Sequence, residues 1–181
     1  QTGNELFRIR IEETVDWLLR EMRVEGDAFA SSLDADSEGE EGLFYTWTLD
    51  EIEVALGADP SVLAQYLTLS APRGWEGKPI LHQTDAQRRD SIEAGAELTA
   101  VKAKLLAVRE RRIRPGRDDK VLTDWNGLMI AALAEAGQSL DRRDWIDAAE
   151  TAYAFIVGSS EAGRLPHSML GGQKLFPALS S

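Results

Sequence analysis

Laid over itself at an offset of 137 residues, the chain pairs Gln1 with Gln138, Ile9 with Ile146, Glu13 with Glu150 and Thr14 with Thr151 without a gap. The same offset pairs Gly26 with Gly163, Ser31 with Ser168 and Leu33 with Leu170. Each copy reads as one unit: an amphipathic helix, a glycine-containing turn, then an extended arm. Units of this kind bury their apolar faces on their neighbours, as stacked repeats do. The repeat therefore predicts a mainly all-α chain of helical hairpins carrying short β-hairpin arms. The chain begins where one unit begins and stops in a loop after an arm, so it reads as a piece of a larger protein. Faces that further hairpins would cover should stay apolar and drive self-association, most simply as a homodimer.

Periodicity fills in the elements. Ile11, Val15, Leu18 and Met22 recur at helical spacing and predict a helix over 5–22 that Gly26 ends. Ala28 to Leu33 and Leu43 to Trp47 read as two arms of a hairpin flanking a hydrophilic loop. Thr48 and Glu51 form a capping box for a short helix with Ile52, Ala55 and Leu56 on its buried face and Gly57 just past its end. Asp59-Pro60 is a second start signal, for a turn or two bearing Leu63, Tyr66 and Leu67. Residues 70–90 read as loop with a short strand at Ile80 and Leu81. Leu98, Val101, Leu105 and Val108 then mark a long helix that Pro115-Gly116 stops. Thr123 or Asp124 should cap the next helix, through Leu128, Met129, Ala132, Leu133 and Ala136 to Gly137. Asp141 should cap the last, which bears Trp145, Ala149, Ala152, Tyr153 and Ile156.

Composition excludes several function classes. With 181 residues, 43% of them hydrophobic, the chain can bury a core. Its apolar runs are far shorter than the roughly 20 residues that span a bilayer, so no membrane partner is expected. There is no cysteine, which removes disulfides and thiolate-held metals and suits a cytoplasmic location. The net charge is −11, and the one basic stretch, Lys102, Lys104, Arg109, Arg111, Arg112, Arg114 and Arg117, fits a helix end whose macrodipole attracts cations better than a nucleic-acid footprint. No nucleic acid partner is expected. A glycine-rich phosphate loop, an HExxH pair and a GxSxG elbow are all missing, which disfavours nucleotide-dependent chemistry and serine-triad hydrolysis; no cofactor is expected, and no residue is singled out as a metal ligand.

Two constellations could carry chemistry. Asp34-Ala35-Asp36-Ser37-Glu38-Gly39-Glu40-Glu41-Gly42 places five acids in eight residues. It starts like a calcium loop and then fails, because Tyr45 stands where a bidentate Glu is required. A solvated hairpin loop, a sugar-binding or acid/base role for the carboxylates, and a cation site all remain open for it. The second runs Arg117-Asp118-Asp119-Lys120 and continues through Trp125-Asn126-Gly127. Carboxylates, an amide and an aromatic face describe a sugar site, since a sugar ring stacks on Trp while its hydroxyls need directional partners. They equally describe a capped helix start over a buried Trp. The candidate catalytic residues are Asp34, Asp36, Asp118 and Asp119. The candidate substrate contacts are Glu38, Trp47, His82, Lys120, Trp125 and Asn126, with a small-molecule sugar as the expected partner. His82 and His167 are the only imidazoles, and a lone His is more often a structural hydrogen-bonder than a proton shuttle. If loops at one end of the helices gather on one rim, some atom of Asp34, Asp36 or Glu38 should lie within roughly 12 Å of Asp118, Asp119 or Lys120, close enough to share a ligand.

Three ordered motifs carry a family resemblance: Asp34 through Trp47; Trp75-Glu76-Gly77-Lys78-Pro79-Ile80-Leu81-His82; and Arg114-Pro115 with Asp118 through Ile130. They resemble the thioredoxin-domain-containing family that includes spermatogenesis-associated protein 20, over nearly the whole chain. Pro79 stands where that pattern has Asn. The resemblance implies a thioredoxin-like domain followed by an (α/α) toroid similar to six-hairpin glycosidases and N-acylglucosamine 2-epimerases. Residues 1–181 would be a single fragment of that toroid, incomplete because its last hairpins and the thioredoxin-like domain are absent. The implied chemistry is carbohydrate-related only at the level of a superfamily. A non-catalytic helical scaffold that positions a thioredoxin-like domain or a protein partner is the rival reading. With about half the helices of a closed toroid, the chain alone is expected to be inactive.

Overall fold

A computed structural model describes residues 3–57, 65, 67–71 and 79–176. Five α-helices stand among them: α1 (Glu5–Glu21), α2 (Leu49–Leu56), α3 (Asp85–Arg109), α4 (Thr123–Ser139) and α5 (Arg143–Gly158). The remaining elements are a 3-10 turn and strands of two or three residues in small antiparallel sheets. The chain divides into two compact units, one of residues 1–33 with 117–181 and one of residues 34–116. The Asp59-Pro60 start signal, Leu63, Tyr66 and the Trp75-Glu76-Gly77-Lys78 motif lie outside the described residues.

The first unit holds both copies of the repeat. Asn4 caps α1 by accepting a hydrogen bond from the Leu6 amide. Val15, Leu18 and Met22 form its buried face, whereas Ile11 is more than a third exposed. The helix ends at Glu21, before the glycine expected to stop it. Gly26 instead sits in a 3-10 turn, Glu25–Asp27, at φ 68°, because the chain doubles straight back: Ala30 N–H donates to Met22 C=O at 2.8 Å and Val24 N–H to Ala28 C=O at 2.9 Å. The second copy behaves alike. Helix α5 matches α1 at the offset, Gly163 is again left-handed (φ 75°), and an antiparallel bridge joins Glu161 to Arg164 where Arg23 bridges Phe29 in the first copy.

The arm of the first copy does not form the hairpin expected of it with residues 43–47; Ser32–Leu33 pairs antiparallel with Arg117–Asp118 instead. Ser168–Leu170 pairs with Val121–Leu122 and, on its other side, with Gln173–Leu175. Arms from both copies thus clasp one segment, 117–122.

Helices α4 and α5 pack as a hairpin. Trp145 is fully buried among Val15, Leu18, Leu133, Ala149 and Ala152, and each such large side chain contributes roughly 1.5–3 kcal/mol by leaving water. Gly137, expected to end α4, is buried inside it. A Cβ there would meet Ile146 Cγ1 at 2.8 Å and the Arg142 carbonyl oxygen at 2.9 Å, so glycine sets how closely the helices approach. Leu128, among the apolar residues read along this helix, is exposed. Neither Thr123 nor Asp124 caps α4: Leu122 is the N-cap, without a side-chain bond, and the Thr123 hydroxyl donates to the Pro166 carbonyl instead. Asp141 does not cap α5 either; it makes the left-handed turn (φ 54°) before Arg142, the N-cap.

In the second unit the capping box of α2 is present, Thr48 receiving the Glu51 amide and Glu51 the Thr48 amide. Trp47, Ile52, Leu67, Leu98, Val101 and Leu105 form the core. The long helix starts at Asp85, inside the stretch read as loop, because Thr84 and Gln87 form a second capping box. It departs from helical geometry at Gly95 and ends at Arg109. Thr68–Ser70 and Ile80–His82 form a strand pair.

Gly137→Ala should lower stability by about 1–3 kcal/mol, the usual range for overpacking a tight site. Helix propensity alone would raise it. Urea unfolding followed by circular dichroism decides between the two.

Candidate functional site

In the second unit the acidic run is itself the hairpin. Asp36–Ser37 pairs with Glu40–Glu41 across Glu38 and Gly39, both left-handed (φ 55° and 80°), which is the turn whose twist suits a two-residue hairpin. The expected strand at Leu43 to Trp47 is replaced by turn, because Tyr45 and Thr46 amides donate back to Gly42 C=O. Asp34 Oδ1 accepts the Asp36 amide at 3.1 Å, and its own amide donates to Gly116 C=O at 2.7 Å. The Ser37 hydroxyl, buried, donates to Ile113 C=O at 2.5 Å. Asp34, Asp36 and Glu38 all face solvent. Nothing there desolvates a carboxylate, as a general acid working near neutral pH requires. Among the described residues no group of three or more acids or histidines could hold a metal.

Trp47 is not a ligand platform. Its ring is buried at 4% exposure, with the Arg112 guanidinium 4.2 Å from its centre. Arg112 also donates to the carbonyls of Phe44 (3.1 Å) and Thr46 (2.5 Å) and pairs with Glu51, so the aromatic run is fastened to the end of α3. His82 is exposed, with Nε2 2.9 Å from the Ser70 hydroxyl.

In the first unit the segment 117–122 carries the chemistry. Asp118 is exposed, its Oδ1 accepting the Lys120 amide and its Oδ2 the Lys120 ammonium, both at 3.1 Å. These bonds, the backbone one foremost, with help from the Ser31 hydroxyl, hold its carboxyl below the usual aspartate range. Asp118 is therefore an ionised acceptor, unsuited to giving up a proton. Asp119 pairs with Arg117, whose guanidinium also donates to Glu21 C=O at 2.8 Å. Trp125, on the first turn of α4, is 54% exposed.

Asn126 has no N–H to spare for a sugar and is shielded from one. It is 2% exposed; its Oδ1 accepts the Phe29 amide at 2.8 Å, and its Nδ2 donates to Phe29 C=O at 3.0 Å and Leu122 C=O at 2.9 Å. The amide imitates a strand neighbour to Phe29 and ties the α1 arm to the start of α4. Arg117 opened the second constellation without a role of its own; its bonds to Asp119 and Glu21 C=O and its place beside Val121 on the wall of a pocket emerge only in three dimensions. Asp34, Asp36 and Glu38 belong to one unit and Asp118, Asp119 and Lys120 to the other.

Two outcomes follow. Asn126→Ala should cost about 2–4 kcal/mol, since it leaves buried backbone groups at Phe29 unpaired, measured by denaturant unfolding. Asp118 is depressed in the folded state, so its contribution is complete above the ordinary aspartate pKa and fades as pH falls through the lower folded value. The gap in melting temperature between the parent protein and Asp118→Asn should accordingly be present at neutral pH and close in acid.

No family model matches the chain. Among curated proteins it is similar to spermatogenesis-associated protein 20 of Rattus norvegicus, at 25% identity over 94% of this chain and 26% of that protein. The Homo sapiens protein of the same name is 25% identical over 86% of the chain and 24% of its own length. That of Mus musculus is 24% identical, with 94% and 26% covered. The chain spans about a quarter of the length of these relatives. The chain is thus related to the spermatogenesis-associated protein 20 proteins over nearly all of its own length, at about one identical residue in four.

Proposed function

We propose that this chain is part of a carbohydrate-binding (α/α) toroid, and that the segment 117–125 meets the sugar. The observation that carries this reading is Trp125: a tryptophan more than half exposed on the first turn of a helix, directly after a loop whose ionised Asp118 and paired Lys120 offer an acceptor and a donor. A sugar ring stacks its apolar face on indole while carboxylate and ammonium take its hydroxyls. The depressed carboxyl of Asp118 favours binding over glycosidic acid catalysis, which needs a raised one. Calorimetric titration with a panel of mono- and disaccharides tests the reading. Binding of at least one sugar is expected, weakened about tenfold by Trp125→Ala, the worth of one aromatic platform. A flat titration across the panel, or equal affinity in the variant, overturns it.

The scaffold reading draws on a different observation. Phe7 and Ile11 on α1 and Tyr153 and Val157 on α5 are exposed at helical spacing, as faces awaiting a protein neighbour or a second copy would be. Sedimentation tests it: concentration-dependent self-association that Phe7→Ser with Tyr153→Ser abolishes supports it, and a monomer at every concentration removes the homodimer.

A further inference from the structure

Within the first unit lies a pocket of about 340 Å³, partly open to solvent, lined by Arg117, Asp119 and Val121 but not by the proposed sugar contacts Asp118, Lys120 and Trp125. Val121 and Met169 are buried beneath it, and Phe155 supplies an aromatic wall. The ring of Phe155 is pressed against the turn after α1: a Cβ on Gly26 would fall 2.0 Å from Phe155 Cδ2. That contact holds the neighbouring residue, Glu25, at the mouth of the pocket. The charges on the rim are not balanced. Arg117 is engaged with Asp119 and with Glu21 C=O, so that pair is neutral, while Glu25 makes no ion pair among the described residues.

We infer that this pocket binds a small organic ammonium ion with a compact apolar body. The body sits on Phe155, Met169 and Val121, and the charged nitrogen meets Glu25. An anion would face Glu25, with the Arg117 cation already taken up by Asp119. A neutral apolar molecule would cover Glu25 without satisfying it, and an unpaired charge shielded from water is costly. A cation removes that cost.

The probe is phenethylamine, titrated into the 181-residue chain labelled at methionine methyls, with 2-phenylethanol as the neutral isostere of similar shape. The Met169 methyl resonance should shift saturably with phenethylamine. The alcohol should bind about fivefold more weakly, the worth of one partly exposed ion pair. Glu25→Gln, at an exposed turn position that leaves the core untouched, should weaken the amine by the same factor and leave the alcohol unchanged. Equal affinity of amine and alcohol, an unaffected Glu25→Gln variant, or a Met169 methyl that does not respond overturns the proposal.

Discussion

The three hydrogen bonds of the Asn126 amide organise the first unit. Phe29 follows α1 in the chain and Asn126 lies 97 residues later, so a single side chain fastens two distant stretches of sequence in this core. Because the amide is buried, its partners have no water to fall back on, and the bonds become a requirement rather than an ornament. Once they form, Phe29 and Ala30 are fixed against Leu133 and Trp145, and the arm beyond them reaches Asp118, whose carbonyl accepts from the Ser31 amide and hydroxyl. The position of the candidate sugar contacts is downstream of that one amide.

The repeat explains why the segment 117–122 is so well defined. Each copy sends its arm to the same short stretch, one to Arg117–Asp118 and the other to Val121–Leu122, leaving Asp119 and Lys120 between the two pairings. The chemistry-bearing residues are thus held by backbone ladders on either side, which is how a loop becomes precise without being rigid in its own right. In the second unit the same result is reached differently, by Arg112, whose planar guanidinium both stacks and donates in fixed directions.

Much of this was legible in the residues. Helical periods placed Val15, Leu18, Trp145 and Ala149 in the core, the offset of 137 matched the two helix-turn-arm units, and Thr48 with Glu51 marked a real cap. What could not be read was non-local. Which strand Ser32–Leu33 would pair with depends on a partner more than 80 residues away, and the hairpin signal was claimed by Glu38-Gly39 inside the acidic run. Gly137 looks like a stop because glycine often is one; only the closeness of Ile146 reveals its other use. Trp47 and Trp125 carry the same side chain, yet one is core and one is open, and exposure is a property of the fold. The Thr84–Gln87 box, by contrast, was plain in the sequence and signals the start of α3 inside a stretch otherwise read as loop.

A six-residue stretch gripped at both ends has a fixed length as well as a fixed place. Side chains alternate faces along a strand, so inserting one residue between Asp118 and Val121 would leave one arm's ladder intact while turning every side chain of the other ladder over. Substitutions at Asp119 and Lys120 leave both ladders in place, since neither residue belongs to a strand pairing. Sequence drift in this stretch is therefore free to change charge and ligand preference but not to change count, and the loop can diversify chemically while remaining metrically frozen.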